Sequence, residues 1–347
     1  MTKRVILPKQ PDDLPWPTEH WPENFESSGF DRERLEGLLA DVFDEVDSET
    51  YGETHAFLAV HKGQVVCERY AGDRDKATTF PSWSKAKSIT QALIGILVRQ
   101  GLIDIHAPAD VPEWQGADDP RKEITLDQLL RMSSGLQFAE DYVDAGVSDV
   151  IEMLFGKGRE DVAGFAASFL LAHERDTVWN YASGTSNIVA RCASRALGKS
   201  GEAFEAFMFD ALFGPIGMTS AAPKFDKAGT FIGSSFCYAT ARDFARFGLL
   251  YMRDGVWDGR RILPEGWVDY ARTPTKTPPE EPMGYGAHWW LGIAGPDSFS
   301  ANGYQGQFTV CVPSLDLIMV RHGNSEAGPK GDAVRGWLAR VADCFRG

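Results

Sequence analysis

Several sequence signatures of common enzyme classes are missing from this 347-residue chain. No Gly-x-Ser-x-Gly stretch occurs, so the chain has no candidate for the nucleophile elbow of the α/β-hydrolases. The seven histidines and five cysteines show no His-x-x-x-His or Cys-x-x-Cys spacing, and no glycine-rich phosphate loop is present. We therefore expect a protein that uses neither a metal ion nor another cofactor.

Long hydrophobic runs and a net positive charge are also absent. No stretch reaches the length of a transmembrane helix, and the formal net charge is −14, which makes nucleic acids and anionic membranes poor partners. The five cysteines are scattered and odd in number, as is typical of free thiols in a reducing compartment. No apolar core of secretory length develops in the first residues. We expect a cytoplasmic protein that acts on a small molecule; the sequence sets no oligomeric state.

The order of apolar patterns predicts the architecture. Two β-rich runs, 56–60 and 64–70, precede a helical middle, and strands return from about residue 288. We predict an α/β (α+β) fold, in which one antiparallel sheet is built from both termini, flanked by helices, and interrupted by an inserted helical region. The sheet domain would comprise residues 1–99 and 228–347, and the helical insert residues 100–227.

Helical periodicity places the predicted helices more closely. They are expected at residues 84–100, 126–132, 147–155, 162–171, 204–212, 240–254 and 335–345. Two apolar runs around Pro313 and Ser314 predict a β-hairpin.

Two overlapping Ser-x-x-Lys registers open the first long helix, Ser82 with Lys85 and Ser84 with Lys87. On a helical wheel, Ser84 and Lys87 lie opposite the apolar face, whereas Ser82 and Lys85 lie near the face that must enter the core. We therefore choose Ser84 and Lys87. A lysine one turn from a serine can take the hydroxyl proton if its pKa is lowered, and a helix N-terminus offers N–H groups to an oxyanion.

Two further stretches carry candidate residues. Tyr181 precedes a helix-like run, and a tyrosine near a lysine ammonium can relay protons to a leaving group. Alternatively, it is a half-buried tyrosine bonded to backbone. Near the C-terminus, the glycines of residues 300–307 allow backbone to approach a substrate, so an N–H from this strand can complete an oxyanion hole with that of Ser84. An ordinary glycine-rich turn is the alternative there.

Together these stretches resemble the β-lactamase-related serine hydrolases, a family that includes class C β-lactamases, D,D-peptidases, family VIII esterases and nylon-oligomer hydrolases. The resemblance spans most of the chain and implies the same architecture. It also implies that Ser84 is the nucleophile, Lys87 its base, Tyr181 the second acid/base, and the N–H groups of Ser84 and Tyr304 the oxyanion donors.

The chain departs from the family pattern at two places. Where β-lactamases and D,D-peptidases carry Lys-Thr-Gly or His-x-Gly, this chain has Ala301, Asn302 and Gly303. In the second motif, the usual Tyr-x-Asn ends in Ser183. Both departures resemble the nylon-oligomer hydrolase and esterase branch, and the segment 140–144 resembles a loop of that branch with a substrate-contacting tyrosine, here Tyr142. The predicted substrate-binding residues are Tyr142, Ser183, Asn302 and Gly303.

These observations favour a serine hydrolase that cleaves a carboxylic ester or an amide, such as a 6-aminohexanoate oligomer, through an acyl-Ser84 intermediate. A β-lactamase or D-amino-acid peptidase is the alternative within enzymes, and a catalytically silent binding protein of the same fold is the alternative outside them. His288, Trp289 and Trp290 lie on an apparent strand, where one of them can line the pocket, although core packing is the favoured interpretation.

Overall fold

Strands from both ends of the chain form one seven-stranded sheet. The computed structural model describes residues 4–44, 47–142, 148–280 and 282–347. Its strands are β1 Glu53–His61, β2 Gln64–Tyr70, β3 Thr79–Phe80, β4 Ala222–Pro223, β5 Cys237–Thr240, β6 Val256–Trp257, β7 Arg260–Arg261, β8 Gly284–Tyr285, β9 Trp290–Leu291, β10 Phe299–Gly303, β11 Gln307–Val312 and β12 Leu317–Asn324.

The strand order in the large sheet is β2-β1-β12-β11-β10-β9-β8, and every neighbouring pair is antiparallel. The N-terminal hairpin therefore pairs directly with the last strand of the chain. This arrangement confirms the predicted antiparallel sheet assembled from both termini. The division into a sheet domain and a helical insert at residues 100 and 227 stays a prediction.

Helices cover the sheet and fill the middle of the chain. They are α1 Arg32–Phe43, α2 Ser48–Tyr51, α3 Lys85–Arg99, α4 Leu126–Leu130, α5 Asp149–Leu154, α6 Val162–Ala167, α7 Ser183–Leu197, α8 Glu202–Met208, α9 Ala241–Met252, α10 Trp267–Ala271 and α11 Pro329–Asp343. Within the described ranges, no helix combines the length and the apolar character that a membrane span requires.

Strand β1 shows how the sheet separates two apolar layers. Alternate side chains of a strand point to opposite faces, so Leu58 packs with the layer that contains α3 and α9, whereas Phe57 packs with the layer that contains α1 and α11. Trp337 of α11 meets the Phe57 ring edge-on, with the ring centroids 5.2 Å apart. Each face of the sheet is thus covered by helices, which explains why β1 has an almost continuously apolar sequence.

Several predicted helices have different bounds in the structure. The predicted helix 162–171 ends at Ala167, because the chain turns there and Leu171 forms an isolated bridge with Leu136. The predicted helix 204–212 becomes α8 followed by a π-helical turn, and α11 starts six residues before the predicted position, with Pro329 in its first turn. The first residue of the predicted helix 147–155, Val147, lies outside the described residues.

Helix α3 is the element that positions the candidate nucleophile. Ser84 is its N-cap residue, and every side chain from Lys85 to Leu97 is buried. On one side, α3 packs against the helical middle through α7, and on the other side it contacts strands β10 and β11 of the sheet. The N-terminus of α3 therefore lies where the sheet and the helical middle meet.

Candidate active site

The chosen Ser-x-x-Lys register forms a direct contact. Lys87 Nζ lies 2.9 Å from Ser84 Oγ, as the i, i+3 spacing on α3 predicts. Trp83, the residue before Ser84, has a φ of 43°, in the left-handed region that a bulky residue rarely adopts. Such a local backbone conformation is typical of functional sites, and here it turns the chain into the helix immediately before the hydroxyl.

Three oxygen atoms surround the Lys87 ammonium group. Besides Ser84 Oγ, it donates to Ser183 Oγ at 2.9 Å and to the Ser234 carbonyl at 3.0 Å. Burial lowers the pKa of Lys87 to about 8, while the negative charge of Glu140 acts in the opposite direction. A substantial fraction of the amine is therefore neutral slightly above neutral pH, and a neutral amine can accept the Ser84 proton.

Glu140 completes this network from the loop before α5. Its Oε1 accepts from Ser183 Oγ at 2.6 Å and from the Tyr142 hydroxyl at 2.7 Å, and its Oε2 accepts from the Ser183 backbone N–H at 2.8 Å. Helix α7 has no side-chain cap of its own, so this carboxylate caps it from another part of the chain. The Ser183 hydroxyl thus links the carboxylate to the Lys87 ammonium.

Tyr181 lies two residues before α7 and beside Lys87. The Lys87 Nζ is 4.8 Å from the centroid of the Tyr181 ring. The ring also contacts Trp290 and Tyr285, with centroids 5.4 Å and 6.0 Å apart, which fixes its plane at the edge of the cleft. The structure therefore brings the three predicted catalytic side chains, Ser84, Lys87 and Tyr181, into one cluster.

The end of β10 approaches the start of α3 closely. A Cβ atom at Gly303 would lie 2.3 Å from the Ser82 carbonyl oxygen, so only glycine allows this approach. Tyr304 follows directly, and its ring contacts that of Trp83 edge-on at 5.5 Å and stacks on that of Tyr142 at 4.6 Å. The start of the Tyr304 loop therefore lies against the residues just before Ser84, and Tyr304 and Ser84 line the same cleft.

A cleft of about 990 Å³ opens above Ser84. Among the predicted site residues, Ser84, Tyr142, Tyr181, Asn302, Gly303 and Tyr304 line it. Other lining residues include the carboxylates of Glu140, Asp141 and Glu326, the Arg335 guanidinium, and the apolar side chains of Met283, Trp290 and Phe308. The cleft thus combines apolar surface with charges of both signs.

One predicted substrate contact, Ser183, lies inside the hydrogen-bond network around Lys87. Ser183 is fully buried, and its hydroxyl is engaged by Lys87 and Glu140. Its role as a substrate contact stays a prediction. Asn302 does line the cleft, and its Oδ1 finds no hydrogen-bond partner among the described residues. Val143 and Asp144 of the loop that carries Tyr142 lie outside the described residues.

The other Ser-x-x-Lys register is buried and structural. Ser82 Oγ donates to the Ser235 carbonyl at 3.1 Å and accepts from the Cys237 N–H at 2.9 Å. This pairing holds the segment whose Ser234 carbonyl contacts Lys87. Lys85 points to the opposite side of α3, where its Nζ lies 3.3 Å from the centroid of the Phe244 ring.

The prediction of one strand through His288, Trp289 and Trp290 is wrong in part, because β9 begins only at Trp290 and His288 has a φ of 55° in the turn before it. Trp290 lines the cleft, whereas Trp289 and His288 are buried behind it. Burial, followed by the positive charge of Lys87, lowers the pKa of His288 to about 3. The neutral ring lies with Nδ1 3.0 Å from the Lys87 carbonyl and Nε2 3.1 Å from Ser186 Oγ, so it ties α3 to α7.

The sequence analysis gave no role to Glu140, which begins the segment 140–144, and none to the Ser234 carbonyl. The missing side-chain cap at the start of α7 indicates that another group must satisfy its N–H groups, yet which carboxylate does so depends on how a distant loop packs.

The geometry and the comparisons with known proteins agree on the class of protein. Residues 41–343 match the β-lactamase family, so the chain belongs to that family. A 6-aminohexanoate-dimer hydrolase from Paenarthrobacter ureafaciens is 26% identical over 289 residues, which cover 77% of this chain and 72% of the relative.

Two solved structures share the fold. A provisionally assigned 6-aminohexanoate-dimer hydrolase from Bacillus anthracis has a TM-score of 0.76 at 21% identity, covering 97% of this chain and 89% of its own. A family VIII carboxylesterase has a TM-score of 0.68 at 16% identity, covering 91% of this chain and 98% of its own. The chain is therefore a β-lactamase-fold protein of a serine hydrolase family whose structural neighbours include esterases and amide hydrolases.

Proposed function

We propose that this protein hydrolyses a carboxylic ester or an amide bond through an acyl-Ser84 intermediate. The observation that carries the proposal is the 2.9 Å contact between Lys87 Nζ and Ser84 Oγ, made by an amine whose pKa burial lowers to about 8. A serine hydroxyl becomes a useful nucleophile at neutral pH only when such a base adjoins it.

The first chemical step joins Ser84 Oγ to the substrate carbonyl carbon. The hydroxyl proton passes to the Lys87 amine, and the carbonyl oxygen gains the negative charge. The N–H groups of Ser84 and Tyr304 are proposed to hold this oxyanion, an interaction that strengthens only as the charge develops. The Ser183 and Ser234 oxygens stabilise the newly protonated Lys87, because both accept hydrogen bonds from it.

The second step expels the leaving group and forms the acyl-enzyme. The departing alcohol or amine must gain a proton, and Tyr181 lies beside the protonated lysine that supplies it. We propose that Tyr181 relays this proton. Water then attacks the acyl-Ser84 carbonyl, the same groups return the proton to Ser84 Oγ, and the acid is released. None of these steps calls for a metal ion or cofactor.

The residues at the end of β10 favour an ester or a linear amide as substrate over a β-lactam or a D-amino-acid peptide. Ala301 stands in the strand motif where the resemblance would put a lysine or a histidine to bind a substrate carboxylate, and it is buried. A β-lactamase or a D-amino-acid peptidase remains the second candidate, because Arg335 supplies one cation at the cleft. Comparing turnover of a chromogenic cephalosporin with that of a short acyl ester separates the two.

We also propose a cytoplasmic location. All five cysteines are free thiols in the structure, as expected in a reducing compartment.

Replacing each serine in turn tests the proposed nucleophile. Ser84→Ala should lower kcat/KM for a p-nitrophenyl acyl ester by about 10⁴-fold or more. Ser82→Ala should retain most activity, although loss of its buried hydrogen bonds should cost about 1–3 kcal/mol of stability. The assay is therefore run well below the Tm of each variant.

Mass spectrometry after a fluorophosphonate treatment supplies the matching structural readout. Only the chains that keep Ser84 should gain the probe's mass. A reversed pattern between the two variants would transfer the role to Ser82. Turnover that survives Ser84→Ala would contradict the proposed mechanism, and absence of both turnover and labelling in the unaltered protein would favour a catalytically silent binding protein.

A further inference from the structure

A buried carboxamide forms hydrogen bonds to the loop that carries Tyr304. Gln307, the first residue of β11, donates from Nε2 to the carbonyls of Tyr304 at 3.3 Å and Gln305 at 3.2 Å. It also donates to the Gly323 carbonyl on β12 at 2.6 Å. An amide nitrogen has two protons, so the two loop carbonyls share one of them. One side chain therefore ties the Tyr304 loop to the neighbouring strand of the sheet.

A buried imidazole fixes which way this carboxamide points. His322 Nδ1 lies 2.9 Å from Gln307 Oε1. Burial holds the pKa of His322 well below its usual value, so the ring is neutral and has one donor and one acceptor nitrogen. Because the carboxamide oxygen can only accept, Nδ1 must carry the proton. Gln307 then has its donating nitrogen on the side of the Tyr304 loop.

The remaining nitrogen of this imidazole faces the lysine of the unused Ser-x-x-Lys register. Lys85 Nζ lies 3.4 Å from His322 Nε2, which leaves Nε2 as the acceptor. Phe80 stacks on the His322 ring with centroids 4.5 Å apart, which keeps the ring in this plane. The donors therefore run in one direction, from Lys85 to His322, then to Gln307, and finally to the Tyr304 loop.

A second buried side chain holds the far end of the same loop. Arg321 Nη1 donates to the Gly306 carbonyl at 2.9 Å, and the guanidinium is otherwise bonded to carbonyls and hydroxyls around β1. The loop itself turns sharply, because Gln305 and Gly306 both have positive φ, at 61° and 78°. Every carbonyl of the three-residue loop is thus bound by a buried side chain.

We propose that Lys85, His322 and Gln307 form a positioning relay that orients the Tyr304 backbone N–H for the reaction. This inference rests on the proposed function of Ser84 and Tyr304. An oxyanion donor lowers the barrier most when it is fixed before the charge appears, at about 2.7–3.1 Å from the position that the oxyanion will occupy. Gln307 fixes the peptide unit that directly follows the Tyr304 N–H, and His322 and Lys85 fix Gln307. None of the three touches the substrate.

Substitution of Gln307 tests the relay. Gln307→Met keeps the length of the side chain and removes its donors, so kcat should fall about 10–100-fold with KM changed little. Thr309→Val is the matched control, since Thr309 lies two residues further along β11, equally buried, with a hydroxyl that has no partner among the described residues. The control should keep kcat within about twofold of the unaltered protein.

A tetrahedral inhibitor separates positioning from a general loss of structure. An alkyl boronic acid forms a bond between boron and Ser84 Oγ, the hydroxyl proton goes to Lys87, and one boron-bound oxygen occupies the oxyanion position. Its affinity for Gln307→Met should fall by the same factor as kcat, whereas the affinity for the carboxylic acid product should stay within about twofold. Lys85→Met, at the far end of the relay, should weaken boronate binding about three- to tenfold.

The outcomes are distinct. A folded Gln307→Met with unchanged kcat and boronate affinity overturns the relay. If Gln307→Met does not fold, Gln307→Glu and Lys85→Met test the relay in its place. Unaltered boronate affinity in both of these variants also overturns the relay. Parallel loss of boronate and product binding also overturns it, because the whole cleft has then changed. Ser84→Ala serves as the reference: if that variant still turns over substrate, the proposed function fails, whatever Gln307 does.

Discussion

Lys85 and Lys87 lie on the same turn of helix α3, but their side chains have different surroundings. Lys87 contacts three oxygen atoms and lies near a carboxylate, and one of its contacts, Ser84, lines the cleft. Lys85 lies against the Phe244 ring and an imidazole nitrogen, and among the described residues no carboxylate lies within ion-pair distance of it. Burial lowers the pKa of both, to about 8 for Lys87 and well below the usual lysine value for Lys85.

The difference shows that burial alone does not make a lysine a base. A base needs a proton source within reach and oxygen atoms that stabilise its charged form after proton transfer. Lys87 has both, because Ser84 is its neighbour and Ser183 and Ser234 accept from it. Lys85 has neither a hydroxyl to deprotonate nor a path to the cleft. Its contacts instead extend through His322 towards the Tyr304 loop.

Replacing each lysine by methionine gives the largest contrast. Lys87→Met should lower kcat/KM for an acyl ester by about 10³-fold or more, because the Ser84 proton loses its acceptor. Lys85→Met should lower it no more than about tenfold. Its Tm should be unchanged or higher, since a buried amine without an ion-pair partner among the described residues is replaced by an apolar group of similar size. Steady-state kinetics and thermal unfolding of both variants provide the measurement; equal losses would erase the distinction between the two lysines.

A methyl group at Gly303 tests the contact between β10 and α3. The Cβ of Gly303→Ala would lie 2.3 Å from the Ser82 carbonyl, so the Tyr304 backbone must move away from Ser84. We expect kcat/KM to fall about 10²-fold, as a displacement near 1 Å commonly causes. Gly37→Ala on α1 is the control, because its Cβ meets no atom within 4 Å, and it should keep full activity. Full activity in both variants would contradict the proposed role of the Tyr304 N–H in the oxyanion hole.

The pH profile sharpens the role of the carboxylate near Lys87. Because only the neutral amine accepts a proton, kcat/KM should rise with pH through about 8, the pKa of Lys87. The Glu140 charge raises that pKa, so Glu140→Gln should lower it and move the rising limb to lower pH by roughly half a pH unit or more. A rising limb that stays in place, or moves to higher pH, would show that another group controls the profile.

Much of this arrangement could be predicted from the sequence, since it depends on local spacing. The i, i+3 relation of Ser84 and Lys87, and the burial of the competing register, follow from the helical wheel of α3. The hairpins and the sheet built from both termini follow from apolar runs separated by turn residues. The hydrogen bonds of Ser183 could not be predicted, because a hydroxyl at a helix start can face solvent, a ligand or another side chain, and only the approach of Glu140 selects among these.

Sequence alone determined which groups can react: an alcohol, an amine and a phenol in fixed order, with a glycine where two backbones must nearly touch. Tertiary structure decided what each group does. Lys85 and Lys87 are the same residue type on the same helix, and their electrostatic environments differ because Lys85 faces His322 of β12, whereas Lys87 faces the Ser84 and Ser183 hydroxyls. The reason is physical: the pKa and the reach of a side chain depend on atoms within a few ångströms, and most of those belong to distant parts of the chain.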